Sequence, residues 1–202
     1  MLITSNKSNN VRKLVMLSLF IAIIIVFNMM GIAFIRTPLG FSVTTLHIPV
    51  ILAGIILGPL YGGIVGSAFG TISMIEATLR GTATDLLFSP VASGNPLGSI
   101  FICYIPRILL GVIAGVLFNA ILKFSRKDLL SAGISAAVST AMHSTTVLVS
   151  LMLIFDAFPL KKVFAGIIGL NSIFTMTTTT ILITELIKPS LMMNSRMNIW
   201  RS

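Results

Sequence analysis

The chain has 202 residues, of which 55% are hydrophobic and 9% charged, and its mean hydropathy is +1.04. Soluble domains carry about 25% charged residues, so the composition excludes a soluble fold and predicts an integral membrane protein. The single cysteine, Cys103, excludes an internal disulfide and a cysteine-rich metal site, and the net charge of +9 has to be read from where the charges lie.

Residues 1–11 are polar, and Lys7, Arg12 and Lys13 precede the first apolar run. That run is expected to span the membrane from about 14 to 34. It is long and is not followed by a small-residue cleavage site, so no cleavable signal peptide is expected. Ser18 and Ala22 place two small side chains on one face of this span, a spacing that permits close helix approach.

Residues 36–45 read as a loop, with Thr-Pro and Leu-Gly turn signals. A short second span is expected over about 47–58, with Pro49 in its first turn and Gly58-Pro59 as its stop. The third span, about 61–79, follows at once. Gly62, Gly66 and Gly70 recur at four-residue spacing, with Gly54 and Gly58 just before them. These stripes predict that spans two and three pack as a tight hairpin.

Residues 80–96, RGTATDLLFSPVASGNP, form the longest non-apolar stretch. A long structured loop of this kind is often a lid. Span four is expected over about 97–122, span five over about 129–155 and span six over about 162–187. The chain is thus expected to be an all-α integral membrane protein, a single six-helix membrane domain over residues 1–202. Six spans put both termini on one side with the turns at 59–61 and 123–128. That side holds Lys7, Arg12, Lys13, Lys123, Arg126, Lys127, Lys188, Arg196 and Arg201, nine of the fourteen basic residues. Cytoplasmic flanks carry excess Lys and Arg, so both termini are expected to be cytoplasmic. The charge then encodes topology and attraction to an anionic leaflet, not a nucleic-acid surface. The loops at 35–46 and 80–96 fall outside.

Arg107 interrupts the apolar run of span four, about nine residues in and so ~13 Å down a helix. Arginine near the centre of a membrane helix costs roughly 2.5–3.5 kcal/mol on insertion scales, and an intramembrane charge is a functional-site hypothesis by default. Two partners are open: Glu76 of span three, or the anionic group of a ligand entering from outside, for which a guanidinium offers two parallel donors. Tyr104, three residues earlier, is expected to share the Arg107 face, with Asn95 and Ser99 extending it towards the outer loop. His143, within STAMHSTTV of span five, and Asn171 of span six are further buried polar groups in need of partners. Buried Ser and Thr are expected to satisfy themselves on their own helix backbone. Asn95, Ser99, Tyr104, Arg107, His143 and Asn171 together outline a pocket for a small polar anion. No nucleophile–base pair or metal-ligand spacing is present, so no catalytic residue, metal or cofactor is expected. No phosphate-cradling loop is present either, and ATP-driven transport would need another subunit.

The run HIPVILAGIILGPLYGGIVGSAFG, the loop LLFSP with SGN after it, and IPRILLGVIAG resemble the substrate-binding S component of energy-coupling factor (ECF) vitamin transporters. The order and spacing of these pieces, most marked from His47 to Gly115, carry the resemblance. The Phe-Ser-Pro loop and Pro-Arg-Ile-Leu segment are most similar to the pantothenate-type component. The resemblance implies six spans, a vitamin captured at the outer face, and loops 35–46 and 80–96 covering it. It also implies association with a transmembrane coupling protein (EcfT-like) and two ATPase subunits that use the ATP. Docking in the family runs through small residues of the first span, here Ser18 and Ala22, with serine a mild departure from an Ala-x-x-x-Ala pattern. Hydroxymethylpyrimidine, pyridoxine, folate and riboflavin are the alternative cargoes. A standalone secondary transporter, an intramembrane enzyme built on His143 and a ligand-free scaffold are the alternatives of other classes.

Overall fold

A computed structural model of the chain describes residues 2–36, 42–81, 85–155 and 176–187. Long apolar stretches satisfy their backbone groups internally as helices, the arrangement a bilayer demands. In chain order these are α1 (Leu2–Met29), α2 (His47–Leu57), α3 (Pro59–Arg80), α4 (Pro96–Ser125), α5 (Asp128–Ile154) and α6 (Met176–Ile187). Four of them, counting Asn10–Met29 of α1 with α3, α4 and α5, are long and apolar enough to cross a membrane. At 1.5 Å per residue α2 is only ~16 Å long, about half the ~30 Å hydrocarbon core. Nine of its eleven residues are buried, so its neighbours enclose it. The first half of the expected sixth span lies outside the described residues.

Two boundaries differ from expectation. The first span ends at Met29 and not at residue 34, because the chain turns at Gly31, whose φ of +73° suits glycine. Phe34 then opens a short strand, β1 (Phe34–Arg36), paired antiparallel with β2 (Ser42–Thr44) in the register Phe34–Thr44. The expected loop at 36–45 therefore holds a small hairpin, the one departure from an all-α chain among the described residues. Thr45 ties it back to the turn that follows α1: its N–H donates to the Ala33 carbonyl and its hydroxyl to the Ile32 carbonyl, at 3.1 and 2.9 Å.

The glycine stripe of α3 packs elsewhere than expected. A Cβ on Gly62 would strike the Gly111 carbonyl, one on Gly66 the Arg107 carbonyl and one on Gly70 the Cys103 carbonyl. Positions 62, 66 and 70 on α3 thus face 111, 107 and 103 on α4, an antiparallel seam with a four-residue step on both helices. Gly54 of α2 joins it against Gly111 and Gly115. The stripe serves α4 first and the α2–α3 hairpin second. Inside a bilayer, where lipid is as apolar as the side chains, such close backbone approach is what holds helices together.

The expectation for buried hydroxyls holds on α5. Ser131, Ser135 and Ser139 each donate to the carbonyl four residues back, at 2.9, 2.7 and 2.6 Å. Thr140 is the exception, with its buried hydroxyl unpartnered.

Candidate functional site

The α3–α4 seam brings Arg107 beneath the 85–93 segment. Its side chain is buried. The guanidinium carbon lies 5.4 Å from the ring centroid of Phe69 on α3 and 5.1 Å from that of Phe88 in the loop, both within cation–π range. A proline in the helix sets its direction. Pro106 lacks an N–H, so the Ile102 carbonyl four residues back loses its helical donor. Arg107 Nη1 donates to that carbonyl. Arg107 Nε is buried without a partner among the described residues. Glu76, the candidate counter-ion, instead lies 3.9 Å from Arg80, one turn on along α3. Among the described residues no carboxylate pairs with Arg107.

The second half of the site is a histidine pair. His47 Nε2 lies 2.9 Å from His143 Nδ1, linking α2 to α5 across 96 residues. His47 Nδ1 lies 3.1 Å from the Thr44 carbonyl at the end of β2. Both rings are buried, and among the described residues His143 Nε2 has no partner. Phe69 joins the two halves. It is fully buried, its centroid 5.7 Å from that of His47 and 6.3 Å from that of His143, the latter ring stacked on it.

Arg107 and His143 are therefore brought together around one aromatic ring. Tyr104 is not. Its hydroxyl lies 2.8 Å from that of Thr71, and Thr71 is two residues, so about 200° of helix, from Phe69. Tyr104 and Arg107 therefore reach opposite flanks of α3. Asn95 caps α4, its side chain accepting from the Gly98 N–H at 3.0 Å. Ser99 is buried as a loop clamp: its hydroxyl donates to the Leu87 carbonyl at 2.7 Å and lies 2.6 Å from the Ser93 hydroxyl. Cys103 adds a thiol donor to the Phe88 carbonyl at 3.3 Å, and Thr78 and Ser89 hydroxyls meet at 2.9 Å. The loop is thereby stitched to α3 and α4 with Phe88 over Arg107. Asn171 lies outside the described residues. Among the described residues no cluster of three or more His, Cys, Asp or Glu suits a metal ion.

His47, Phe69 and Phe88 are the site residues that sequence reasoning did not place. Phe69 carried no signal in an apolar chain, whereas Phe88 opens the Phe-Ser-Pro loop of the resemblance but was given no role there. For His47 one was available, since it and His143 are the chain's two histidines.

Ser18 and Ala22 are exposed on α1. Ser18 donates to the Leu14 carbonyl of its own helix at 3.0 Å, so its polarity makes no outside demand. Across Asn10–Met29 only Ile24 is fully buried.

A helical membrane bundle that buries a guanidinium and a histidine pair around one ring holds polar groups that a bilayer interior rarely admits without a functional reason. The family model described as "ECF transporter, substrate-specific component" matches residues 12–193. The chain belongs to this family and is a transport component, not an enzyme, in the bacterial cell membrane. It is 32% identical over 191 residues to the pantothenic acid transporter PanT of Lactococcus lactis subsp. cremoris, covering 90% of this chain and 94% of that one. It is 27% identical over 194 residues to the pantothenate transporter PanT of Leuconostoc mesenteroides subsp. mesenteroides, covering 87% and 91%.

Proposed function

We propose that the chain is the pantothenate-binding S component of an ATP-driven ECF importer, capturing the vitamin at the extracellular face. The observation that carries this reading is the buried Arg107, which no carboxylate among the described residues meets, in a chain whose relatives are named for pantothenate. Pantothenate has one carboxylate, an amide and two hydroxyls. With Nη1 committed to the Ile102 carbonyl, the guanidinium keeps Nε free, so a carboxylate gains a charge-assisted hydrogen bond there. His143 and Asn171 take the polar remainder. Tyr104, Asn95 and Ser99 contribute from the flank and the loop, Asn95 by capping α4 and Ser99 by holding the loop that carries Phe88. No cofactor is bound by this chain.

The topology in this reading is six spans with both termini cytoplasmic, as the basic flanks suggest. The partners are a transmembrane coupling protein (EcfT-like) and two ATPase subunits, which hydrolyse ATP. Docking uses Ser18 and Ala22 on the outward face of α1.

The test is calorimetric titration of the purified chain with pantothenate, pyridoxine, hydroxymethylpyrimidine, folate and riboflavin. Tight binding of pantothenate alone is expected. A ligand at a hundredfold excess over its Kd adds about 2.7 kcal/mol of stability, so a thermal shift reads the same result. Tight binding of another vitamin with silence from pantothenate overturns the cargo. Pantothenate uptake by cells lacking every ECF ATPase overturns the coupling.

A further inference from the structure

The hydrogen-bond chain through the two histidines has one consistent direction. The Thr44 carbonyl can only accept, so with both rings neutral His47 carries its hydrogen on Nδ1. His47 Nε2 is then an acceptor, and the hydrogen on the bond to His143 must come from His143 Nδ1. That leaves His143 Nε2 as a bare lone pair. It is buried and, among the described residues, has no partner.

We propose that this relay fixes His143 Nε2 as a hydrogen-bond acceptor that reads a donor group on the substrate, a hydroxyl or an amide N–H, remote from the carboxylate. The inference rests on the reading of the chain as a binder of a carboxylate-bearing vitamin. The site then has two poles on one aromatic platform. Arg107 donates to the anionic end, and its guanidinium carbon lies 5.4 Å from the Phe69 centroid. His143 accepts from the other end, its ring centroid 6.3 Å from the same point. A molecule with a carboxylate and no donor elsewhere satisfies only one pole. A polyol without an anion satisfies only the other. The tautomer is set from outside the site: the Thr44 carbonyl belongs to the hairpin, so His47 is a positioning residue and His143 the one that meets the ligand.

The experiment is imidazole nitrogen-15 NMR on the full chain in detergent. The chain has two histidines, both in the pair, so the spectrum reports on the relay alone. Both rings are expected as neutral Nδ1–H tautomers without ligand, and pantothenate should move the His143 Nε2 resonance in the direction of an accepted hydrogen bond. A hydrogen on His143 Nε2 in the ligand-free chain overturns the proposal whatever binds. Pantothenate that binds and leaves that resonance unmoved overturns it too. Pantothenate that does not bind removes the cargo assignment, and the tautomer alone then decides the acceptor.

A variant supplies the second arm. His143→Asn keeps an amide donor where Nδ1–H meets His47 and removes the acceptor at the Nε2 position, since its own amide oxygen falls a bond nearer the backbone, where the ring had Cδ2. Its affinity for pantothenate should fall about tenfold, the scale of one lost hydrogen bond. Wild type should discriminate by a similar factor against analogues in which one hydroxyl is replaced by hydrogen or the amide is N-methylated. The analogue whose penalty vanishes in His143→Asn identifies the donor. If no penalty changes and every ligand weakens equally, the histidine is structural and the proposal fails.

Discussion

The same device, small residues four apart on a membrane helix, appears twice in this molecule with opposite outcomes. On α3 it is consumed internally: Gly62, Gly66 and Gly70 lie on the carbonyls of Gly111, Arg107 and Cys103 of α4. On α1 it faces outward, with Ser18 and Ala22 exposed on a helix that buries little of itself. Spacing alone does not say which use a stripe has. Glycine does, in part. Contact between backbones needs the absence of Cβ on both sides, as at Gly62 and Gly111, whereas a serine and an alanine leave a shallow groove suited to a partner that comes and goes. The seam also does more than hold helices. Gly66 rests on the carbonyl of Arg107 itself, so the packing device and the proposed binding residue are one place in the chain.

The largest expected effect lies at that place. Arg107→Ala should weaken pantothenate binding by about 2–5 kcal/mol, the range for removing one partner of a buried charged contact, or roughly 30-fold to several thousand-fold. The folded chain should survive, because no internal ion pair is broken. Titration calorimetry beside thermal unfolding checks both halves. Unchanged binding would sink the role of Arg107 and leave the family intact.

Gly66→Ala should break the inward use of the stripe. Its Cβ meets backbone and not a side chain that can swing away, so destabilisation of about 1–3 kcal/mol or slightly more is expected. The unfolding midpoint in detergent reads it. The Arg107 carbonyl must shift as well, so affinity should fall in the same variant. A stable Gly66→Ala protein with wild-type affinity would mean that the seam is looser than its geometry.

Ala22→Leu, alone or with Ser18→Leu, tests the outward use. Stability and pantothenate affinity should stay within about 0.5 kcal/mol, as for surface substitutions away from special features. Co-purification with the coupling protein and ATPases should fall tenfold or more, and uptake with it. Normal assembly would place the docking surface elsewhere.

Much of this architecture was legible because a bilayer leaves few choices. Hydropathy located α3, α4 and α5 to within a few residues, and Arg107 stood out as a charge in an apolar run. The partners of those features were not legible. The α3 glycines were matched to the neighbour in sequence, whereas their closest neighbour in space lies about forty residues on. Tyr104 was grouped with Arg107 by helical spacing, yet the two pass on opposite sides of α3 because a helix seated between them takes one on each flank. His47 and His143 stand 96 residues apart, and no local pattern joins them. Asn95 and Ser99 were read as ligand groups because polar residues at a helix start look alike whether they cap the helix or face a cavity.

The smallest expected effect is the most specific. Pro106→Ala returns an N–H to α4 at the position that bonds the Ile102 carbonyl in an unbroken helix. That N–H competes with Arg107 Nη1 for the same oxygen. The guanidinium then keeps its charge and its two aromatic neighbours but loses the bond that sets its direction. Affinity for pantothenate should fall by about 0.5–1.5 kcal/mol, one hydrogen bond's worth, while the unfolding midpoint holds or rises because the helix is now continuous. A general packing defect would lower both together. Loss of affinity with stability retained separates a positioning role from a structural one, and an affinity equal to wild type would show that the phenyl rings alone orient Arg107.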